Sequence, residues 1–474
     1  MSPARKPKHF LGTTLATVGA LNDAATVGGS GPAKKASAKC PAIDVPESYG
    51  KVEELIRAGR PLVFVSGNAG TGKTTLIHYL SDTVPQRTVV VAPTGVAALN
   101  AGGVTIHSFF QFPPKIQDPS EIRVLADRSL IRKLDLLVID EVSMLRCDVL
   151  DAIDAFLRIN RDSPQPFGGV QLLLVGDLFQ LPPVVPSHER EVLEARGYAS
   201  PYFFSALALQ ELPLTHVELD RVYRQTDPAF VELLNKLRAA EETEEAAEEI
   251  NRCCLGKTIT DCDLTLTCTN KAADEINAGS LAAIEETEYL FEGEIEGRFG
   301  LTGDKLPSPL ELRLKVGARV MFTKNDEQKR WVNGTMGVVR GFEGADIRVE
   351  VGGRSGPVLE VAPVTWESHR YVLSDDKQRI VAEKIGEYRQ YPLMLAWAVT
   401  IHKSQGKTLD KILVDFGSRT FAGGQAYVAL SRVRSLDALR LARPLRVTDV
   451  KCDPVIRRFY EALGEASVPE DRGP

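Results

Sequence analysis

Long apolar runs are missing from this sequence. No stretch approaches the roughly 18 consecutive apolar residues of a membrane-spanning helix, so the chain is expected to work without a membrane. Paired cysteines are missing as well. The seven cysteines (Cys40, Cys147, Cys253, Cys254, Cys262, Cys268, Cys452) include no CxxC pair, and the Cys253–Cys268 run lacks zinc-ligand spacing. Reduced cytosolic thiols are the expectation. Excess charge of one sign is also absent. A net charge of −6 does not advertise a nucleic-acid binder, nor does it exclude one, because a local basic groove suffices to attract phosphates. Residues 1–45 are rich in Ala, Gly, Thr, Ser and Lys, and the segment Leu11–Leu21 is too polar for a secretory signal. They read as a flexible tail. The remainder, within a chain of 474 residues that is 43% hydrophobic and 25% charged, has the texture of two or three globular domains.

Against these absences stands Gly67-Asn68-Ala69-Gly70-Thr71-Gly72-Lys73-Thr74, with Thr75 following. It comes after the apolar run Leu62–Val65 and opens a helical pattern, the strand, glycine loop and helix order of a Walker A phosphate site. Glycines let the loop backbone turn its N–H groups inward at phosphate oxygens, beside the positive end of the helix. Lys73 is expected to reach the β- and γ-phosphates, and Thr74 to offer its hydroxyl to Mg²⁺. A second buried strand, Leu136–Ile139, ends in Asp140-Glu141. Ligands of open α/β sheets bind beyond the carboxyl ends of the strands, so both carboxylates should face the phosphate loop. Asp140 suits Mg²⁺, through a water, and Glu141 suits polarisation of an attacking water. A nucleoside triphosphate and Mg²⁺ are the expected ligands, and ATP is the triphosphate that the resemblance described below implies.

The alternation of short buried strands (Leu62–Ser66, Thr88–Ala92, Leu136–Ile139, Val170–Val175) with helical stretches predicts an α/β domain with a parallel sheet over 46–210. A second such domain is expected over 211–311 and 391–450, with strands at Asp263–Thr267 and Lys411–Asp415. Between them, 312–390 reads as a small antiparallel barrel, with short β runs separated by turns at Asn333-Gly334, Glu343-Gly344 and Gly352-Gly353. The acidic Glu241–Glu249 stretch reads as a solvated helix face. Residues 451–474 read as a C-terminal tail.

Five further segments fall in an order with a known counterpart: Ile139–Met144, Gly176–Pro183, Leu219–Gln225, Ala398–Gly406 and Tyr427–Arg432, after the Gly67–Thr74 loop. This series resembles the ordered motifs of superfamily 1B helicases. Phe167-Gly-Gly-Val-Gln171 before Gly176, together with Glu141–Leu145, resembles the Pif1 family specifically, with RecD as the sister group. The resemblance covers roughly 50–445 and implies two RecA-like P-loop NTPase domains and an inserted SH3-like barrel. It implies an ATP-dependent DNA helicase that moves 5′ to 3′ on single-stranded DNA and at single/double-strand junctions, working as a monomer. It would be cytoplasmic and nucleoid-associated in a bacterium, nuclear or mitochondrial in a eukaryote.

By position in these motifs, Gln180 is expected to sense the γ-phosphate. Arg224 and Arg432 look like two arginine fingers, with Arg221 and Arg434 as competitors that motif order alone disfavours. For nucleic acid, Thr94, Gly95, His107 and Phe109 in the first domain and Thr400, His402, Lys403 and Ser404 in the second are the expected contacts. Phe109 and Phe110 are adjacent and face different ways, so at least one belongs to the core. Trp331 either stacks on a base or packs the barrel. Three departures from the family pattern stand out. Pro46–Pro61 holds no Gln to read adenine, leaving Tyr49 as a stacking partner for the base. The 111–134 region is short, so a strand-separating wedge there, stiffened by Pro113-Pro114, must be small. The chain ends soon after the sixth motif, with no room expected for an added targeting domain.

Overall fold

The computed structural model describes residues 46–84, 87–113, 115–257, 264–344, 346–352, 356–374 and 379–466. The expected N-terminal tail, Cys40, Pro114, Cys262, Gly353 and residues 467–474 lie outside the described residues.

The first lobe is a six-stranded parallel sheet in the order Val104–Thr105, Thr88–Ala92, Leu136–Ile139, Gln171–Gly176, Leu62–Gly67, Leu214–Leu219. Its central strands are buried along their whole length because both faces are covered. Leu62, Phe64, Leu137, Ile139, Leu172 and Leu174 enter one apolar cluster with the helix Cys147–Arg161. Their alternating neighbours Val63, Val65, Leu136, Val138, Leu173 and Val175 enter another with the helices Glu47–Arg57 and Lys73–Thr83. Period-2 side chains facing two dry layers explain the unbroken apolar runs. The strand order sets the loops after Gly67, Ile139 and Gly176 side by side at one sheet edge. The sheet continues past the expected boundary at 210: Leu214–Leu219 pairs with Leu62–Gly67 along its full length.

The second lobe carries a four-stranded parallel sheet, ordered Ala398–Thr400, Leu264–Thr267, Ile412–Asp415, Leu439–Leu441. The inserted β region is wider than 312–390, running from Tyr289 to Leu395. Its five-stranded antiparallel sheet orders Val358–Val361, Asp346–Val351, Met336–Glu343, Arg319–Phe322, Leu393–Leu395 around Val320, Phe322, Val339, Ile347 and Val349. The rest departs from a closed barrel. Val364–Leu373 and Ile380–Gln390 form a long hairpin, joined by Glu294–Gly297, that reaches the first lobe. There the Tyr371 hydroxyl accepts the Val90 N–H at 3.2 Å.

Two other expectations are corrected. The segment 451–474 is not simply a tail: Pro454–Ala466 is a helix that packs Ile456, Phe459, Tyr460 and Leu463 onto the first lobe. Phe459 stacks on Phe204 at 4.3 Å. The described residues of 111–134 are packed on the first lobe where a small wedge was expected. Phe112, Ile122, Leu125 and Ile131 lie in the first-lobe cluster, and the Leu125 N–H is held by Asn160 Oδ1 at 2.7 Å. Among the described residues, no helix is long and apolar enough to cross a membrane.

Candidate functional site

The glycine loop begins where the strand Leu62–Gly67 ends and closes as Lys73 starts its helix. Gly70 and Gly72 have φ of +87° and +85°, the left-handed region that favours glycine. A Cβ on Gly70 would lie 2.5 Å from the Arg224 Cβ, so glycine also permits the close approach of that arginine. Lys73 Nζ donates to the carbonyls of Gly67 and Asn68 at 2.7 and 2.9 Å. Burial lowers its pKa, while Asp177, Glu141 and Asp140 oppose that. Tyr49 donates its hydroxyl to the Gly72 carbonyl at 2.7 Å. Its ring is buried against the first-lobe core, and burial pushes its hydroxyl up to about 12. Tyr49 therefore braces the loop from below and presents no face to a base.

Asp140 and Glu141 emerge from the adjacent strand. Burial, reinforced by Glu141, pushes Asp140 up to about 7. Burial also raises Glu141, with Lys73 and Arg432 pulling the other way. Glu141 holds a left-handed φ of 49°, a strained conformation for a residue with a side chain. Its Oε2 accepts the Gln405 side-chain amide at 3.1 Å, from the second lobe.

From the glycine loop two other bonds cross the same cleft, and the arginines Arg224 and Arg432 are held within the second lobe. Tyr427 Oη accepts the Ala69 N–H of the glycine loop at 3.0 Å, and Asn68 donates to Asn235 at 2.8 Å. Arg224 donates to Thr408 Oγ1 and to the Ser431 carbonyl at 3.0 and 3.2 Å. Arg432 is fully buried, bonded to the Val428 carbonyl and Ser431 Oγ at 2.7 Å each. Burial and the neighbouring Arg224 bring its pKa down to about 9. Of the competing arginines, Arg221 lies over the Tyr223 ring at 5.0 Å, and Arg434 is exposed at the groove.

A groove of about 2330 Å³ runs from Thr74, Asp140 and Glu141 between the lobes to the inserted β region. Thr94, Gly95 and His107 line it from the first lobe, His402 and Lys403 from the second. Thr94 caps the helix Gly95–Asn100 by accepting the Ala97 N–H, and Thr400 caps Ile401–Ser404 by accepting the Lys403 N–H. His107 Nδ1 is 3.2 Å from the Phe112 carbonyl, and His402 lies parallel to Phe421, centroids 6.2 Å apart. Burial lowers both imidazoles, which favours neutral rings.

Comparison with known proteins fits this geometry. A model of the PIF1-like helicase family matches residues 48–249, and a second helicase model matches 379–468. The ATP-dependent DNA helicase Pif1 of Bdellovibrio bacteriovorus is 33% identical, over 88% of this chain and 92% of its own length. This chain belongs to the PIF1-like helicase family. The ATP-dependent DNA helicase PIF1 of Mus musculus is 35% identical over 91% of the chain, which spans 65% of that relative. The crystal structure of Bacteroides sp Pif1 in complex with ADP-AlF4 matches with a TM-score of 0.82 at 37% identity, covering 90% of this chain and 98% of that one. Bacteroides Pif1 bound to ssDNA matches with a TM-score of 0.66 over the same shares. These likenesses carry the two RecA-like lobes.

Within this PIF1-like chain, the structure gathers most of the expected residues and redirects others. Gly67–Thr74, Asp140, Glu141, Gln180, Arg224 and Arg432 all meet where the lobes touch, with Thr75 exposed on the first turn of its helix. Phe109 does not reach the groove lining. It packs edge-on against Phe110 at 4.8 Å and Tyr371 at 5.9 Å, sealing the hairpin onto the first lobe. Ser404 turns its hydroxyl inward to the Ile401 carbonyl, and Thr400 is buried as a cap. Trp331 is a packing residue, stacked on Phe322 at 4.4 Å with its indole N–H on the Lys324 carbonyl. Sequence reasoning passed over Tyr223, 47% exposed beside Gly72, and over Trp366, which lines the groove with Lys324 Nζ 5.8 Å from its ring. An aromatic immediately before Arg224 was the available signal for the first. The second had none, because its position depends on the hairpin.

Proposed function

We propose that this chain is an ATP-dependent DNA helicase that moves along single-stranded DNA, 5′ to 3′, and opens duplex or structured DNA as a monomer loaded at single/double-strand junctions. The observation that carries the reading is the Gln405–Glu141 bond. It joins the segment bearing His402 and Lys403 to a carboxylate of the nucleotide cleft. Names of relatives in the family support the reading, as does the complex of Bacteroides Pif1 with ssDNA.

The chemistry follows from the residues. Loop amides from Asn68 to Thr74 and Lys73 cradle the triphosphate. Thr74 Oγ1 and the Asp140 carboxylate are hard oxygen donors facing one cleft, a set that fits Mg²⁺ and its retained waters. Bound there, Mg²⁺ would neutralise charge on the β- and γ-oxygens. Glu141 orients and deprotonates the attacking water, and Gln180 senses the γ-phosphate. Arg224 and Arg432 stabilise the charge that develops on the transferring phosphoryl group. Tyr223, exposed beside the loop, offers a face to the adenine. Thr94, Gly95 and His107 hold the strand from one lobe, with His402 and Lys403 from the other, through backbone contacts that do not read sequence. Closure and reopening of the cleft then move one set of contacts past the other.

A second reading, a single-strand-stimulated translocase that remodels protein–DNA complexes with little unwinding, draws on one observation. Among the described residues of 111–134, Phe112, Ile122, Leu125 and Ile131 pack on the first-lobe cluster that includes the helix Cys147–Arg161. Steady-state ATP hydrolysis with and without single-stranded DNA, in the parental protein and in Lys73→Ala, tests the motor common to both. Stimulation lost in Lys73→Ala supports it; turnover indifferent to any strand overturns it. Displacement of a labelled strand from a 5′-tailed duplex then separates unwinding from translocation alone.

A further inference from the structure

Asp177 is wholly buried, and both lobes converge on its carboxylate. From the first lobe, Gln180 Nε2 donates to Oδ2 at 3.1 Å, and the Phe179 N–H donates to Oδ1 at 3.3 Å. From the second lobe, Arg238, on the helix Pro228–Ala239, donates Nε to Oδ1 at 3.1 Å and sets Nη2 3.0 Å from the same oxygen. The Arg238 guanidinium also lies 4.4 Å from the Phe179 ring centroid. That ring is stacked on Tyr460 of the C-terminal helix at 5.1 Å and 9°. A cation, a phenyl ring and a phenol from three parts of the chain thus hold the loop that carries Gln180.

We propose that Arg238 is a positioning residue that orients the Gln180 amide through Asp177 and does so only when the lobes are together. The inference rests on the helicase reading above, in which Gln180 faces the γ-phosphate. An ionised carboxylate accepts hydrogen bonds and donates none, so it fixes which end of the Gln180 amide faces it. One Gln180 N–H is committed to Asp177, leaving the other N–H and Oε1 for the γ-phosphate and the attacking water. A buried carboxylate needs a partner charge, and Arg238 supplies it. Because Arg238 arrives with the second lobe, opening the cleft removes the group that pins the Asp177 carboxylate, and with it the fixed direction from which that carboxylate holds the amide. Hydrolysis is thereby tied to closure at a point separate from the arginines Arg224 and Arg432.

The test is steady-state ATP hydrolysis at saturating oligo-dT, with KM for ATP and nucleotide-free oligo-dT affinity by fluorescence anisotropy. The variants are Arg238→Gln, Arg238→Lys, Gln180→Ala and the double variant Gln180→Ala/Arg238→Gln. Arg238→Gln is expected to lower kcat roughly 10- to 100-fold, the usual effect of losing a partner that orients an active group. KM for ATP and oligo-dT affinity should stay within about threefold of parental values, as for an interaction made during turnover. Arg238→Lys should recover part of kcat, and the double variant should be no slower than the slower single variant. Parental kcat in Arg238→Gln, additive losses in the double variant, or a joint fall of kcat, ATP affinity and oligo-dT affinity that lysine does not relieve would each overturn the proposal. Failure of the helicase reading shows separately, as no oligo-dT stimulation of the parental protein. The same pattern among variants is then expected in basal turnover.

Discussion

The side-chain amide of Gln405 donates to Glu141 across the cleft at 3.1 Å, so the turn that follows His402 and Lys403 touches the carboxylate assigned to the attacking water. In the proposed reading, strand contact and water activation are one bond apart.

Replacing Gln405 with Ala should therefore uncouple them. Strand-stimulated ATP turnover is expected to fall roughly tenfold, the effect of losing one orienting partner, with single-strand affinity changed less than about twofold. Turnover and anisotropy on the same preparation check this. An equal loss of affinity would place Gln405 in the strand site instead.

Glu141→Gln keeps shape and an acceptor for Gln405 but removes the proposed base. Turnover should drop by roughly 10²- to 10³-fold while Mg–ATP still binds. Single-turnover hydrolysis alongside binding of a fluorescent ATP analogue gives both quantities. Hydrolysis at the parental rate would assign the water to another group.

Tyr49 and Tyr223 flank the loop with opposite duties. Tyr49→Phe deletes the hydrogen bond to the Gly72 carbonyl and should raise KM for ATP by about fivefold, equivalent to about 1 kcal/mol. Tyr223→Ala should raise KM for ATP and weaken discrimination between purine and pyrimidine triphosphates, because an exposed ring recognises a base by stacking. Unchanged base selectivity would remove Tyr223 from the nucleotide site.

Lys407 lines the groove, and burial, aided by Lys403, holds it down to about 8. The unfolded chain keeps that proton up to the ordinary lysine value of 10.5. Between those values the unfolded state binds more protons, so this lysine makes the strand-free protein more stable as pH rises across the window. Strand phosphates favour the charged form, so binding takes up a proton and affinity falls as pH rises through about 8. Oligo-dT titrations at several pH values should show that fall, and Lys407→Met should flatten it.

The local part of this architecture was legible in the sequence. Gly67–Thr74 and Asp140-Glu141 are short, and their chemistry depends on neighbours a few residues away, so spacing alone placed them. The unbroken apolar strands declared a sheet covered on both faces. Contacts between distant segments were not legible in the same way. Leu214–Leu219 looked like the start of the second lobe because nothing local says that it adds to the first sheet. Phe109 read as a base-stacking ring because Tyr371, its partner, lies on a hairpin reaching over from another region. Nothing in the residues around Arg238 says that the fold sets it on Asp177. The C-terminal helix was an avoidable omission. Ile456, Phe459, Tyr460 and Leu463 carry the three- and four-residue spacing of a buried helix face.

That helix also changes how the two lobes can move. The chain leaves the first lobe after Leu219, builds the second, and returns to the first at Pro454–Ala466. A body tethered at one point can swivel in every direction. One joined at two points has fewer directions left to it, as a door has once a second pin is set.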